Sequence, residues 1–319
     1  MLYSIIIPHR NIPDLLSRCL DSIPCRDDTE VIVVDDNSTD SDNLLNYFSN
    51  LNRKDVTFIR TTEGRGAGYA RNVGLSYATG VWVIFADADD FFADDFGAIL
   101  NEYKYSDKDI LYFRKGAVLS ENVRVKSNRD LWLDKLFDAY FKDGDDLQIR
   151  CFQWAPWGKI IKRSLIEDNN IRFDEIPFSN DVIFGISAGL AAKEVHIIDR
   201  VMYYVTERRG SLTYSFGSKD GELDIRCRVA FRAQQLYNRH KVDIENIQIP
   251  YLLTLMLRYD RKLFWHFFSR LPEIRLPQWK VACQIMIRVL LMIRNKIASV
   301  FFRWAVTLNL RPRVDAGVE

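Results

Sequence analysis

At 319 residues, 48% of them hydrophobic, the chain can fill a sizeable core, which excludes an intrinsically disordered protein. Its 44 Lys and Arg balance 43 Asp and Glu, so the net charge of +1 indicates no class of partner, and we expect no nucleic-acid partner. The five cysteines are odd in number and lack C-x-x-C spacing, which argues against a disulfide framework and a zinc site and favours a reducing compartment.

The N-terminal segment lacks the features of a secretion signal. Met1 leads directly into a strand-like run at residues 2–7, with no basic region followed by a longer apolar stretch. No uncharged run in the sequence approaches the ~20 apolar residues that a membrane-spanning helix needs. We therefore expect a cytoplasmic protein without a spanning helix.

The first part of the chain alternates short β-branched runs with segments of helical period. Strands are predicted at residues 3–7, 30–34, 56–60 and 81–86. Helices are predicted after Asn11 as N-cap with Pro13 in the first turn, around residues 44–51, and at residues 69–78. This alternation is typical of βαβ units, so we expect an α/β fold with a mostly parallel sheet flanked by helices.

The rest of the chain divides into a mixed segment and a helical one. Aromatic-rich pieces at residues 110–114, 131–141 and 151–157 precede a predicted helix at 182–192 and a strand at 201–206. Beyond about residue 222 only helical signals remain, near residues 224–240, 247–268 and 278–307. We predict a domain boundary between residues 215 and 225.

Polar residues follow three of the predicted strands. The strands lead into Pro8-His9-Arg10-Asn11, into Asp35-Asp36, and into Asp87-Ala88-Asp89-Asp90. Ligands of an open α/β sheet bind beyond the carboxyl ends of its strands, so these side chains are predicted to meet at one site. Crowded carboxylates need a cation or strong hydrogen bonds to offset their repulsion, and Mg²⁺ or Mn²⁺ suits such a site. The alternative is that these acids cap helices or form turns.

A glycine-rich segment at residues 64–68 invites comparison with a dinucleotide-binding loop. It follows a strand and opens a helix, but the G-x-G-x-x-G pattern would require glycine where the chain has Tyr69. That reading also leaves Asp35, Asp36 and the later acidic cluster without a role. The sequence therefore does not favour dinucleotide binding, and P-loop spacing is absent.

Seven segments together resemble glycosyltransferase family 2, in the order in which the family has them. They read SIIIP at residues 4–8, VIVVDDNSTD at 31–40, GAGYARNVGL at 66–75, WVIFADADD at 82–90, WGKIIKRSL at 157–165, NDVIF at 180–184 and YYVTERRGSLT at 203–213. The resemblance covers residues 1 to about 215. It implies a GT-A fold, a nucleotide-sugar donor and a divalent metal, and many family members build bacterial capsule, O-antigen or exopolysaccharide.

The resemblance also implies roles for individual residues. Asp36, together with Asp35, would bind the nucleotide base, and Arg71 would pair with phosphate. Asp87 and Asp89 match the family's Asp-x-Asp pair, with Asp89 as the direct metal ligand. Asp181 stands where the family keeps the acid that activates the acceptor. The complete set expected to contact the donor is Pro8, Asp35, Asp36, Gly66, Arg71, Asp87 and Ala88.

Two positions depart from the family pattern. Family members often have Thr-Tyr-Asn after the first proline, whereas this chain has His9-Arg10-Asn11, so a tyrosine that stacks on the base is missing. The usual Glu-Asp pair is Asn180-Asp181 here. The alternative role for Asp181 is a helix N-cap before Val182.

These features predict an inverting glycosyltransferase that transfers a sugar from a UDP-sugar to an acceptor hydroxyl, with Mg²⁺ or Mn²⁺ as cofactor. The expected acceptor is a saccharide or lipid-linked saccharide of bacterial cell-surface polysaccharide. Two alternatives stay open. A sugar nucleotidyltransferase would need a G-G-x-G-T-R signature that is absent near the N-terminus, and an inactive sugar-binding relative is suggested by Asn180.

The domain prediction is a GT-A catalytic domain at residues 1–220, with a donor half at 1–115 and an acceptor half at 116–220, and a helical region at 221–319. Near the C-terminus, apolar residues at helical spacing are interrupted by basic ones. The apolar residues are Ile285, Val289, Met292, Ile293, Val300 and Phe301, and the basic ones are Arg288, Arg294, Lys296 and Arg303. Such a helix can lie on an anionic membrane surface, here the inner face of the cell membrane. The alternative is packing against the catalytic domain or a second subunit.

Overall fold

The computed structural model describes residues 1–39, 53–129, 131–208 and 221–309, with side chains up to residue 294. The chain divides into two compact units, Met1–Lys219 and Asp220–Glu319. The helix predicted around residues 44–51 lies outside the described residues.

The first unit alternates strands and helices. In chain order its described elements are β1 (Tyr3–His9), α1 (Pro13–Asp21), β2 (Thr29–Asp36), β3 (Val56–Thr61), α2 (Ala67–Tyr77), β4 (Trp82–Phe85), β5 (Phe91–Phe92), α3 (Phe96–Tyr103), β6 (Ile110–Leu119), β7 (Asn122–Lys126), α4 (Leu131–Asp143), α5 (Leu147–Phe152), β8 (Lys159–Lys162), α6 (Arg163–Asp168), α7 (Val182–Ala191) and β9 (Val195–Glu207). All four strands predicted for the first part of the chain are present.

The strands form one sheet in the order β3-β2-β1-β4-β8-β6-β9-β5, and β7 pairs with β6. β1, β2, β3 and β4 are mutually parallel, and β6 is parallel to β9. β8 runs antiparallel to both β4 and β6, and the short β5 runs antiparallel to β9. The predicted α/β class with a mostly parallel sheet flanked by helices is therefore confirmed.

Continuous apolar runs mark the central strands because both faces of the sheet are covered. Along β1, Ile5 and Ile7 pack into one core cluster, whereas Ile6 packs into another. Along β4, Ile84 belongs to the first cluster and Phe85 to the second. This alternation buries both faces of β1 and β4.

The predicted N-cap of α1 is wrong. The structure puts Ile12 at the N-cap, without a capping side-chain hydrogen bond. The Oδ1 atom of Asn11 instead accepts a hydrogen bond from the backbone N–H of Thr39, at 2.8 Å. Asn11 thus joins the loop after β1 to the loop after β2, because an amide oxygen can satisfy a distant backbone donor as well as a local one.

The second unit is helical over its described residues. Its elements are α8 (Glu222–Arg239), α9 (Gln248–Tyr259), α10 (Arg261–Phe268), a 3₁₀ helix (Leu271–Ile274) and α11 (Gln278–Asn309). The sequence predicted one helix where α9 and α10 stand. Asp260 separates them and caps α10, because its side chain accepts a hydrogen bond from the N–H of Leu263. None of the described helices combines the length and the apolar character that crossing a membrane requires.

Candidate active site

The parallel register brings three strand ends together. His9 at the end of β1 lies opposite Asp35 on β2, and Ile6 of β1 lies opposite Phe85, the last residue of β4. Asp87 and Asp89 follow β4 directly and therefore emerge beside the ends of β1 and β2. The predicted meeting of these polar residues at one edge of the sheet is what the topology produces.

Asp35 is held entirely by neighbouring residues. Its Oδ1 lies 2.9 Å from Nδ1 of His9, and neither side chain is exposed. Ser38 donates to the same carboxylate through its backbone N–H and its hydroxyl. Burial by itself would raise the pKa of Asp35, but the hydrogen bonds from His9 and Ser38 outweigh it and hold the pKa below its ordinary value. In this conformation Asp35 braces the loops after β1 and β2 rather than facing solvent.

Asp36 anchors the glycine-rich loop. Its two carboxylate oxygens accept hydrogen bonds from the backbone N–H groups of Arg65, at 3.0 Å, and Gly66, at 2.7 Å. Gly66 has a φ of +93°, a conformation that favours glycine, and it opens α2 as its N-cap residue. The loop is therefore tied to the end of β2, and the carboxylate expected to meet a nucleotide base is engaged by backbone donors.

Arg71 joins two parts of the site that are far apart in the sequence. Its Nη2 donates to Oδ1 of Asp87 at 2.6 Å, and its Nη1 donates to Oδ1 of Asn180 at 3.1 Å. The guanidinium also lies 5.3 Å from the ring centroid of Phe173. These contacts bury Arg71, for which the family resemblance implied pairing with phosphate. Arg71 connects the acidic cluster to the segment before α7.

The three aspartates after β4 have different environments. Asp90 is buried and accepts a hydrogen bond from the N–H of Thr206 on β9, at 2.7 Å, so it helps to hold β9 against this loop. Asp87 and Asp89 keep part of their side-chain surface exposed. Burial, with a further contribution from Asp87, raises the pKa of Asp89, and burial with the charge of Asp89 raises that of Asp90. The cluster thus carries unfavourable negative charge.

Asp87 and Asp89 fit a hard divalent cation. Each carboxyl group contacts one guanidinium, Asp87 that of Arg71 and Asp89 that of Arg208 at 3.2 Å, which engages one of its two oxygens. Over the described ranges, no cluster of three or more His, Cys, Asp or Glu side chains could hold a metal by itself. Mg²⁺ and Mn²⁺ take few protein ligands, prefer oxygen, and complete their coordination with water and substrate phosphate. Two adjacent carboxylates suffice for that mode of binding.

Arg208 was not singled out as a site residue by sequence reasoning. It stands just past the end of β9, in the segment 203–213 that contributed to the family resemblance. The motif was visible, but the pairing with Asp89, 119 residues away in sequence, depends on β9 lying beside β5. The position of Arg208, a basic residue within a segment that resembles the family, was the sequence feature that could have identified it as a candidate site residue.

Asp181 directly precedes α7 and makes no side-chain hydrogen bond that caps the helix. No hydrogen bond therefore supports the alternative role of Asp181 as a helix N-cap. Burial raises the pKa of Asp181, while the charge of Arg71 works in the opposite direction. Its neighbour Asn180 accepts a hydrogen bond from Arg71, and the charges of both Arg71 and Asp87 act on Asp181.

The remaining residues predicted to contact the donor are Pro8, Gly66 and Ala88. None has a polar side chain, so each could donate or accept a hydrogen bond only through its backbone. Pro8 is buried in β1, where it lies opposite Val34, and Ala88 is buried between the two aspartates. Gly66 is partly exposed at the start of α2. The structure brings all three to the same edge of the sheet as Asp87.

Comparison with known proteins identifies the family. The family model described as glycosyl transferase family 2 matches residues 4–168. The poly(ribitol-phosphate) beta-glucosyltransferase of Bacillus spizizenii is 31% identical over 217 residues, which are 66% of this chain and 33% of that protein. The poly(ribitol-phosphate) beta-N-acetylglucosaminyltransferase TarS of Staphylococcus aureus is 30% identical over 222 residues, 66% of this chain and 36% of TarS. The chain thus spans about a third of the length of these relatives.

Solved structures share the fold. S. aureus TarS 1-349 in complex with UDP-GlcNAc has a TM-score of 0.56 and 24% identity, covering 81% of this chain and 72% of that one. The mannosyltransferase PcManGT of Pyrobaculum calidifontis, in complex with GDP-Man and Mn²⁺, has a TM-score of 0.52 and 18% identity, covering 99% and 88%. At these identities the likeness supports the fold alone, and it confirms the GT-A architecture. The family match over residues 4–168 shows that the chain belongs to glycosyltransferase family 2.

Proposed function

We propose that this protein is an inverting, metal-dependent glycosyltransferase that moves a sugar from a UDP-sugar to a hydroxyl of a saccharide or lipid-linked saccharide in bacterial cell-surface polysaccharide synthesis. One observation carries the proposal. Arg71 bridges Asp87 and Asn180, so the candidate base Asp181 and the Asp-x-Asp carboxylates belong to one connected site. The donor assignment is supported by the UDP-GlcNAc complex of TarS, and a hydroxyl acceptor on a polymer by relatives named for poly(ribitol-phosphate).

The reaction is a single displacement. The acceptor oxygen attacks the anomeric carbon, Asp181 takes the proton of that hydroxyl, and the bond to the nucleotide diphosphate breaks on the opposite face of the sugar. Ordinary aspartate is a weak base towards an alcohol, with a pKa of about 3.9. Burial raises the pKa of Asp181, which improves the match between base and operating pH.

The donor half of the site must offset the negative charge of the diphosphate and of Asp87 and Asp89. Asp87 and Asp89 would hold Mg²⁺ or Mn²⁺, which, when bound, acts as a Lewis acid towards the diphosphate. Arg71 and Arg208 orient the two carboxylates through their ion pairs with Asp87 and Asp89. The backbone at Gly66, fixed by Asp36, sets the start of α2 beside this charge cluster.

An inactive sugar-binding relative is the second candidate, and Asn180 favours it. The family's usual Glu-Asp pair would place two carboxylates near Arg71, whereas here the guanidinium meets an amide oxygen. Arg71 nevertheless keeps a carboxylate partner in Asp87, so its position survives the change.

A panel of UDP-sugars separates these functions. We expect one of them to be hydrolysed slowly, with release of UDP, only when Mg²⁺ or Mn²⁺ is present, and to be consumed faster when a polysaccharide acceptor is added. The measurement is UDP release, with GDP-sugars as matched controls for the base. Donor binding without any UDP release would support the inactive relative. Formation of UTP from a UDP-sugar and pyrophosphate would support a nucleotidyltransferase.

We also propose that the GT-A domain spans residues 1–220, with its donor half at 1–115 and acceptor half at 116–220, and that the helical region 221–319 binds the anionic inner surface of the cell membrane. The last described helix has two apolar faces. Val281 and Ile285 belong to the core of the second unit, and Val289 packs against it. Trp279 and Leu290, by contrast, are 71% and 57% exposed.

The exposed face of α11 extends through Met286 and Ile293, and the helix carries basic but no acidic residues. A second copy of the same helix would bring like charges together, which is unfavourable. An anionic lipid surface can bury the apolar side chains and attract the basic ones. The electrostatic attraction contributes about 1 kcal/mol of binding free energy for each basic residue near the surface. Charge complementarity therefore favours lipid over a second copy.

Surface substitutions test the membrane proposal better than truncation, because Val281 and Ile285 are core residues. The double change Met286→Glu and Leu290→Glu is expected to abolish co-sedimentation with phosphatidylserine vesicles at low salt and to spare UDP release. Tyr105→Glu, an exposed residue of the first unit, is the matched control. High salt should weaken binding of the unmodified protein by screening. Lack of binding to these vesicles at low salt, or a dimer that the double variant dissociates, would overturn the proposal.

A further inference from the structure

Lys159, the first residue of β8, is a buried lysine in the segment 157–165. It is 2% exposed, and its ammonium donates a hydrogen bond to the backbone carbonyl of Gln153. The same nitrogen lies 5.4 Å from the ring centroid of Tyr112 on β6. Burial lowers the pKa of Lys159 to about 7. Lysine is among the residue types least often found fully buried, because desolvating its charge costs stability.

A short chain of contacts leads from Lys159 to Asp181. Gln153 accepts from Lys159, and the backbone of the next residue, Trp154, packs against Gly185 of α7 so closely that a Cβ at Gly185 would lie 2.3 Å from the Trp154 oxygen. The N–H of Gly185 donates to the carbonyl of Asp181 at 2.9 Å. Lys159 therefore approaches the first turn of α7, and its positive charge acts on Asp181 while Asp181 acts on it in return.

Among the described residues, three charged groups on neighbouring elements act electrostatically on Asp181. They are Arg71 from α2, Asp87 from the loop after β4, and Lys159 from β8. Arg71 and Asp87 form an ion pair at 2.6 Å, so their opposite charges partly cancel at Asp181. The ammonium of Lys159 donates to a neutral backbone carbonyl, so that contact does not cancel its positive charge at Asp181.

We propose that Lys159 is a positioning residue for Asp181: its buried ammonium, held by the carbonyl of Gln153 behind the first turn of α7, stabilises the carboxylate form of the base. This inference rests on the proposed function, in which Asp181 is the base. It explains why a costly buried charge is kept at the start of β8, since a low-dielectric setting strengthens the attraction between Lys159 and Asp181.

The test is the pH dependence of kcat for sugar transfer in Lys159→Met, a replacement of similar length without charge. An ammonium favours the ionised carboxylate, so its removal raises the pKa of Asp181 and moves the acidic limb of the profile to higher pH. A shift of about one pH unit would lower kcat on that limb about tenfold, with donor KM unchanged. Lys162→Met is the matched control, because Lys162 lies on the same strand but contacts Asp107 and Asp109.

Stability measurements exclude a merely structural role. A desolvated charge kept for function should leave the melting temperature of Lys159→Met unchanged or higher, whereas a structural lysine should lower it. Lys159→Gln should move the acidic limb in the same direction, which keeps the test valid if the Met variant fails to fold. An unmoved acidic limb in a folded variant overturns the proposal for Lys159. Retained turnover in Asp181→Asn would instead overturn the base assignment, so the two failures are distinguishable.

Discussion

Asp181→Asn is expected to lower kcat for sugar transfer by roughly 10²- to 10⁴-fold while donor affinity changes little. The amide keeps the size of the side chain but cannot take the acceptor proton. Steady-state transfer kinetics and donor titration by calorimetry measure the two quantities. Asp168→Asn, an exposed residue at the end of α6, is the matched control.

The direction of the pKa shift sharpens this prediction. Since burial raises the pKa of Asp181, activity should fall as pH drops through a value above the ordinary range of aspartate. The folded state binds this proton more tightly than the unfolded state, so ionised Asp181 lowers stability at neutral pH. The Asn variant should therefore melt at an equal or higher temperature at pH 7. Near-native turnover in this variant would overturn the assignment of Asp181 as the base.

Asp89→Ala is expected to remove detectable transfer and leave the fold intact. The change deletes one of two proposed metal ligands, and it also relieves the repulsion with Asp87 that contributes to the raised pKa of Asp89. Transfer assays, circular dichroism and calorimetric titration of Mn²⁺ in the presence of UDP measure activity, folding and metal binding separately. Asp94→Ala, an exposed aspartate four residues after Asp90, is the matched control.

Chelation should have the same effect on the unmodified protein, and added Mg²⁺ or Mn²⁺ should restore transfer. Because Arg208 pairs with Asp89, the Ala variant also frees the guanidinium of Arg208 in the proposed donor half of the site. Calorimetry therefore matters, since a change in UDP affinity without loss of Mn²⁺ binding would point to Arg208 rather than to a metal. Full activity after thorough metal removal contradicts the prediction.

Much of the architecture could be predicted from local patterns. The apolar runs of β1 and β4 indicated strands, and the acidic residues after Phe85 indicated a site at a strand end. The family resemblance named Asp87, Asp89 and Asp181, whose proposed roles now await the experiments above. Burial periodicity and the order of motifs are properties of contiguous sequence, so a single chain reveals them.

The sequence by itself determined the fold class, the carboxyl-end location of the acidic residues and the family. Only the tertiary structure decided which partners the polar side chains take: Asp36 the loop at Gly66, Arg71 both Asp87 and Asn180, and Lys159 the backbone carbonyl of Gln153. Local patterns state which face of a strand or helix is buried. The partner of a polar side chain often lies far along the chain, as Asn180 lies 109 residues from Arg71, so strand order and register alone bring the two into contact.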